Sequence, residues 1–150
     1  MAKFFYRMQN ILNIKNRLEE QAKIDFALAN RNLMEEEEKL AQLQKRKAVY
    51  EEEIKRLLDD KLQLMKIREN EAAVEVMKEL IEAQILQVRA AERKVEIARK
   101  NLQNAMQERK THDRLKEKQF EEFVQEENAK ESKEIDELTS YRYTTAQKDE

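Results

Sequence analysis

The chain has 150 residues, 41% of them charged with a formal net charge of −2, and it contains no Gly, Pro, Cys or Trp. Tight turns draw on Gly and Pro, so folds assembled from many short elements are excluded and a few long helices remain. A near-neutral charge gives no basis for nucleic-acid binding, and the missing cysteine removes thiolate and disulfide chemistry.

The stretch from Met1 to Leu18 sets Lys3, Arg7, Lys15 and Arg17 among Phe4, Phe5, Tyr6, Met8, Ile11, Leu12 and Ile14. A secretory leader needs an unbroken apolar run behind its basic start, and Arg7, Gln9, Asn10 and Asn13 interrupt this one. No stretch approaches the roughly 20 apolar residues of a membrane span. The reading is a soluble, cytoplasmic chain without membrane insertion, with a helix starting within the first few residues.

Apolar residues then recur at helical steps through Phe5, Met8, Leu12, Ala22, Phe26, Ala29, Leu33, Leu40, Leu43, Tyr50, Ile54, Leu57 and Leu64. Steps of three and four, or their sums, keep one narrow stripe on a helix, which is the seam of a coiled coil. Lys15, Glu19, Glu36, Lys47 and Lys61 interrupt the stripe, and the lysines can lay their methylenes across it. Ile11, Ile14 and Leu18 lie beside it and widen the apolar face near the N-terminus.

A second seam runs through Val74, Met77, Ile81, Gln84, Val88, Ala91, Val95, Ala98, Leu102 and Ala105. Between the seams, residues 66–71 are the expected reversal, with Asn70 best suited to the left-handed conformation that ends a helix. Folding there pairs Leu57 with Ile81, Tyr50 with Val88, Leu43 with Val95, Leu40 with Ala98 and Leu33 with Ala105, large against small. It also lays Lys3, Arg7 and Lys15 along the acidic arm Glu121, Glu122, Glu126, Glu127, Glu131 and Glu134.

The expected fold is all-α: a long antiparallel two-helix coiled-coil hairpin over residues 1–138, followed by a frayed or disordered tail over 139–150. Beyond Arg109 the second seam weakens, because His112, Lys116 and Gln119 occupy it and apolar residues return as Leu115, Phe120, Phe123 and Val124. The competing arrangement is one uninterrupted helix pairing with a second molecule, as a homodimeric structural spacer.

The residues give no catalytic chemistry. His112 has no second histidine or cysteine to complete a metal site, and the Glu35 to Glu38 run fans around a helix instead of converging. No glycine is present for a calcium loop or a phosphate cradle. No enzyme, metal or cofactor is expected, and the function is sought on the surface. Off-seam Val49, Leu58, Leu62, Ile67, Val76, Leu80, Ile85 and Leu86 either broaden the seam or dock a partner protein.

The opening Phe4-Phe5-Tyr6-Arg7-Met8-Gln9-Asn10-Ile11-Leu12, with Glu19-Glu20-Gln21-Ala22 after it, resembles the start of FliJ-type flagellar export proteins. The closing Lys133-Glu134-Ile135-Asp136-Glu137-Leu138 is similar to the end of that family. The resemblance implies a cytoplasmic component of the flagellar type III export apparatus, peripherally associated with the inner membrane and serving motility and chemotaxis. It implies a coiled coil similar to the central stalk of rotary ATPases, which enters the hexameric ring of the export ATPase and promotes its assembly and activity. It further implies contact with the cytoplasmic domain of the export gate membrane protein and escort of export substrate chaperones. On this reading Phe4, Phe5, Arg7, Ile11, Ile14, Leu18, Phe120, Phe123, Val124, Ile135 and Leu138 meet the ATPase ring. Tyr50, Met77, Leu80 and Gln84 meet the gate. A third reading uses Phe4, Phe5 and Tyr6, flanked by Lys3 and Arg7, to bind anionic membrane surfaces.

Overall fold

The computed structural model describes residues 2–59 and 63–148. Two helices carry nearly all of them, α1 over Gln9–Leu58 and α2 over Leu64–Lys148. The uninterrupted single helix is therefore not the arrangement adopted. The chain forms two compact units, one of Met1–Leu18 with Ala105–Glu150 and one of Glu19–Asn104. They are called the terminal and the central unit below.

α1 starts later than the spacing predicts. The Gln9 N–H donates to the Tyr6 carbonyl at 3.1 Å, and the residues before this turn are not helical. The cause lies in three consecutive aromatics. In this non-helical segment burial alternates, with Phe4 half-buried, Phe5 outward at 80% exposure, and Tyr6 buried at 4%. A helix would have set Phe4 and Tyr6 on nearly opposite faces.

In the central unit the two helix segments run antiparallel. The second seam packs as read: Val74, Met77, Val88, Ala91 and Ala98 are buried, and Ile81, Gln84, Val95 and Leu102 are half-buried. From α1, Ala22 and Leu57 are buried and Leu33, Leu40, Leu43, Tyr50 and Ile54 are half-buried. Leu64 is exposed instead of lying in the seam, and Lys61 falls outside the described residues.

The reversal is not at residues 66–71. Those residues belong to α2, and the helices part between Leu58 and Leu64. Asn70 donates its side-chain amide to the Lys66 carbonyl at 2.9 Å, a bond made inside a helix. No described residue takes a left-handed backbone. The sequence around the break explains its place: Lys55 and Arg56 suit the negative end of α1, and the Asp59-Asp60 pair that follows is unfavourable there and a poor helix former.

The register moves with the turn. Gln84 Nε2 donates to the Glu36 carboxylate at 2.6 Å and to the Glu36 carbonyl at 2.9 Å. Counting antiparallel from that pair puts Leu40 level with Leu80, beside Ile81, and not with Ala98, and sets Ala98 level with Ala22 and Ala91 level with Ala29. Small residues therefore face small ones, and the other expected pairings, of Leu57, Tyr50, Leu43 and Leu33, are displaced likewise. The expected and observed registers differ by about 18 in summed residue numbers, close to five steps of the 3.5-residue seam repeat. Both registers align the seams, so alignment alone does not choose between them.

In the terminal unit, Phe4 packs on Phe120 and Phe123, and Lys15 pairs with Glu108 at 2.9 Å. Glu108 thus replaces the acidic arm expected to face Lys15. Residues 139–148 continue α2 instead of losing structure, and every side chain from 131 to 148 is exposed.

Candidate partner-binding surfaces

The terminal unit brings part of the expected ATPase-facing set together. The Phe4 ring meets Phe120 edge-on, with centroids 5.3 Å apart at 72°, and meets Phe123 at 5.5 Å and 49°. Such geometries favour the positive ring edge over the negative face, and they pin the non-helical N-terminal segment to α2. Phe120 and Val124 still keep substantial exposure, and Phe5 projects fully. Arg7 is exposed beside it.

On the first turns of α1, Ile11, Ile14 and Leu18 form a row at steps of three and four, each at least two-fifths exposed. Leu12, between them, takes the buried position. This is the widened face expected from the sequence, and it carries more apolar surface than packing uses. Ile135 and Leu138 are not gathered into the cluster. They lie on the exposed end of α2, about 18 Å or more beyond Phe123 at the helical rise.

The same unit holds two buried polar atoms, the Tyr6 hydroxyl and His112 Nδ1, with no hydrogen-bond partner among the described residues. The Glu108 carboxyl is held below its ordinary value, first by the hydrogen bond from Lys15, then by the Lys15 charge. His112 adds a smaller pull in the same direction.

The expected gate-facing set is not a surface. Met77 is 5% exposed in the seam, Tyr50 is half-buried, and Gln84 spends its amide on Glu36. The observed register also separates Tyr50 from Gln84 by about 20 Å along the helix axis. Only Leu80 of that set offers its side chain to solvent. Off the seam, Val49, Leu58, Val76 and Leu86 are exposed, Ile67 and Ile85 are half-buried, and Leu62 lies outside the described residues. On the part of α2 within the central unit, sequence reasoning missed two exposed apolar residues, Met65 and Ile97. Their signal was a seven-residue spacing from Ala72 and Ala90, offset from the main seam.

Among the described residues no group of three or more His, Cys, Asp or Glu side chains is placed to hold a metal ion. Likewise, no helix among them is long and apolar enough to cross a membrane. Of the three aromatics offered for a membrane surface, only Phe5 faces outward.

No curated protein sequence matches the chain. Among solved structures it is similar to a YscO homologue from Chlamydia trachomatis, with a TM-score of 0.72 and 22% identity over 99% of this chain and 100% of that one. That likeness shows a shared two-helix fold. The family model described as flagellar FliJ protein matches residues 4–148. The chain therefore belongs to the FliJ family, as a coiled-coil protein associated with type III protein export.

Proposed function

We propose that the chain acts as a central-stalk-like adaptor of the flagellar type III export apparatus, with its terminal unit entering the export ATPase ring and promoting its assembly and activity. The observation that carries this reading is the row Ile11, Ile14 and Leu18 with the projecting Phe5: apolar side chains left uncovered by their own fold, among the cations Lys3, Arg7 and Arg17. Family membership supports the class of process. The exposed apolar residues of the central unit, Leu80 among them, are the docking ground for the export gate's cytoplasmic domain and for substrate chaperones. The protein then works in the cytoplasm against the inner-membrane apparatus.

The test is stimulation of ATP hydrolysis by the purified export ATPase. The wild-type chain raises the rate, and Ile14→Glu with Leu18→Glu weakens that effect by about tenfold or more, as loss of two interface anchors does. Far-UV circular dichroism stays unchanged, because neither side chain is buried. Full stimulation by the variant would remove this face from the ATPase contact.

A further inference from the structure

The α2 segment of the central unit carries a second heptad stripe, away from the seam. Met65, Ala72, Glu79, Leu86 and Arg93 repeat every seven residues, and Glu69, Val76, Ala83, Ala90 and Ile97 form the companion row four residues on. Alternating steps of four and three are the spacing of a coiled-coil interface. Met65, Val76, Leu86 and Ile97 are each at least half exposed, and Ala72 and Ala83 are exposed too. No segment among the described residues covers this stripe.

The stripe reads as its own mirror. Run antiparallel against a copy of itself, with the two-fold axis level with Ile81, one row falls on the other. Met65 meets Ile97, Ala72 meets Ala90, Val76 meets Leu86, and Ala83 meets Glu79. The two oppositely charged members, Glu69 and Arg93, meet each other. A parallel, in-register pair would instead set Glu69, Glu79 and Arg93 each on its own like charge, which is destabilising.

The flanks agree on balance. The antiparallel arrangement sets Arg68 against Glu96 and Glu75 against Arg89, and places Leu80 against its own copy beside the axis. Against these stand Glu82 facing itself and Lys66 facing Lys94. Counting both halves of the symmetric pair, six complementary contacts oppose three repulsive ones. Glu75 and Glu96 already hold Lys78 and Arg99 within the helix and would share themselves between partners.

We infer that this face of α2 is a self-association surface, on which a second copy of the chain docks antiparallel about a two-fold axis near Ile81. The interface is isologous, so it closes at two copies. Its alanines and its Glu79 layers make it weak, and its charges make it specific.

Sedimentation equilibrium of the full chain tests this between about 1 μM and 1 mM. The mass rises from 18.1 kDa toward twice that value as concentration increases. Glu69→Arg alone and Arg93→Glu alone each move dimer formation to at least about tenfold higher concentration, since each sets like charges together twice. Both side chains are exposed, so helicity is unaffected. An equimolar mixture of the two variants restores association, because every Arg then faces a Glu. The chain has no native cysteine, so orientation is read by mixing Val76→Cys chains with Leu86→Cys chains. The mixed disulfide forms ahead of either like-with-like product. Three results would overturn the inference: a mass fixed at the monomer value throughout, a mixture of charge variants that stays monomeric, or preferential like-with-like disulfides.

Discussion

Gln84 is polar at a seam position, and its partner explains why the seam tolerates it. Its amide satisfies a backbone carbonyl and a carboxylate of Glu36, so no donor is stranded in the interface. The Glu36 carboxyl is held below its ordinary 4.5, first by this bond, then by Lys39. Glu96 is lowered by Arg99 and Glu108 by Lys15. A carboxylate depressed by folding stabilises the fold above its ordinary value, and that contribution disappears as pH falls through the lowered one. The melting temperature is therefore expected to fall on acidification below the ordinary carboxylate range, in circular dichroism melts from about pH 7 to about pH 3. Glu36→Gln flattens part of that slope. Gln84 was legible as a seam residue from its spacing, but Glu36 as its partner was not, because the bond exists only in the register that the turn selects.

At the scale of the helices, the alternation of three and four specified which faces meet and left open how far one slides along the other. A stripe with a 3.5-residue repeat matches its partner again at every step of that repeat. The choice rests with the turn, and there the informative residues were Asp59 and Asp60, with the basic last turn of α1 before them, and not the tolerant Asn70. The seam alanines were legible, whereas their pairing with Ala22 and Ala29 followed the register. Ala91, at 2% exposure, is the tightest point of the seam. Ala91→Leu is expected to cost about 1–3 kcal/mol in chemical denaturation, because overpacking a close helix contact forces the backbones apart. The far end of α2 behaves oppositely. Removing residues 131–148 takes away no buried side chain, so the melting midpoint should stay within about 1 °C of the full chain.

For the molecule as a whole, composition was the strongest guide. With no Gly or Pro and 41% charged residues, the chain had few options beyond long paired helices. The two compact units add what composition does not contain. A fragment of residues 19–104 holds both helix segments of the central unit and the connection between them, and it is expected to be helical and to melt cooperatively alone. A fragment with the weak, non-cooperative helicity of an isolated peptide would show that the central unit depends on the terminal one. Of the candidate surfaces, the aromatic cluster was legible because Phe4, Phe120 and Phe123 are rare large side chains near the chain ends. The gate-facing set was not, because Met77 and Gln84 serve the seam itself, and a family likeness does not separate a side chain that packs from one that docks.

The end of α2, where no side chain from 131 to 148 is covered, has a practical meaning. In a paired stretch, inserting or deleting one residue turns everything after it by about 100° and carries the stripe off its partner. Beyond residue 131 the same change displaces nothing that is packed. Length is therefore free to drift there and nowhere in the seams. A fluorescent reporter fused after Lys148 would ride on the helix without disturbing either unit.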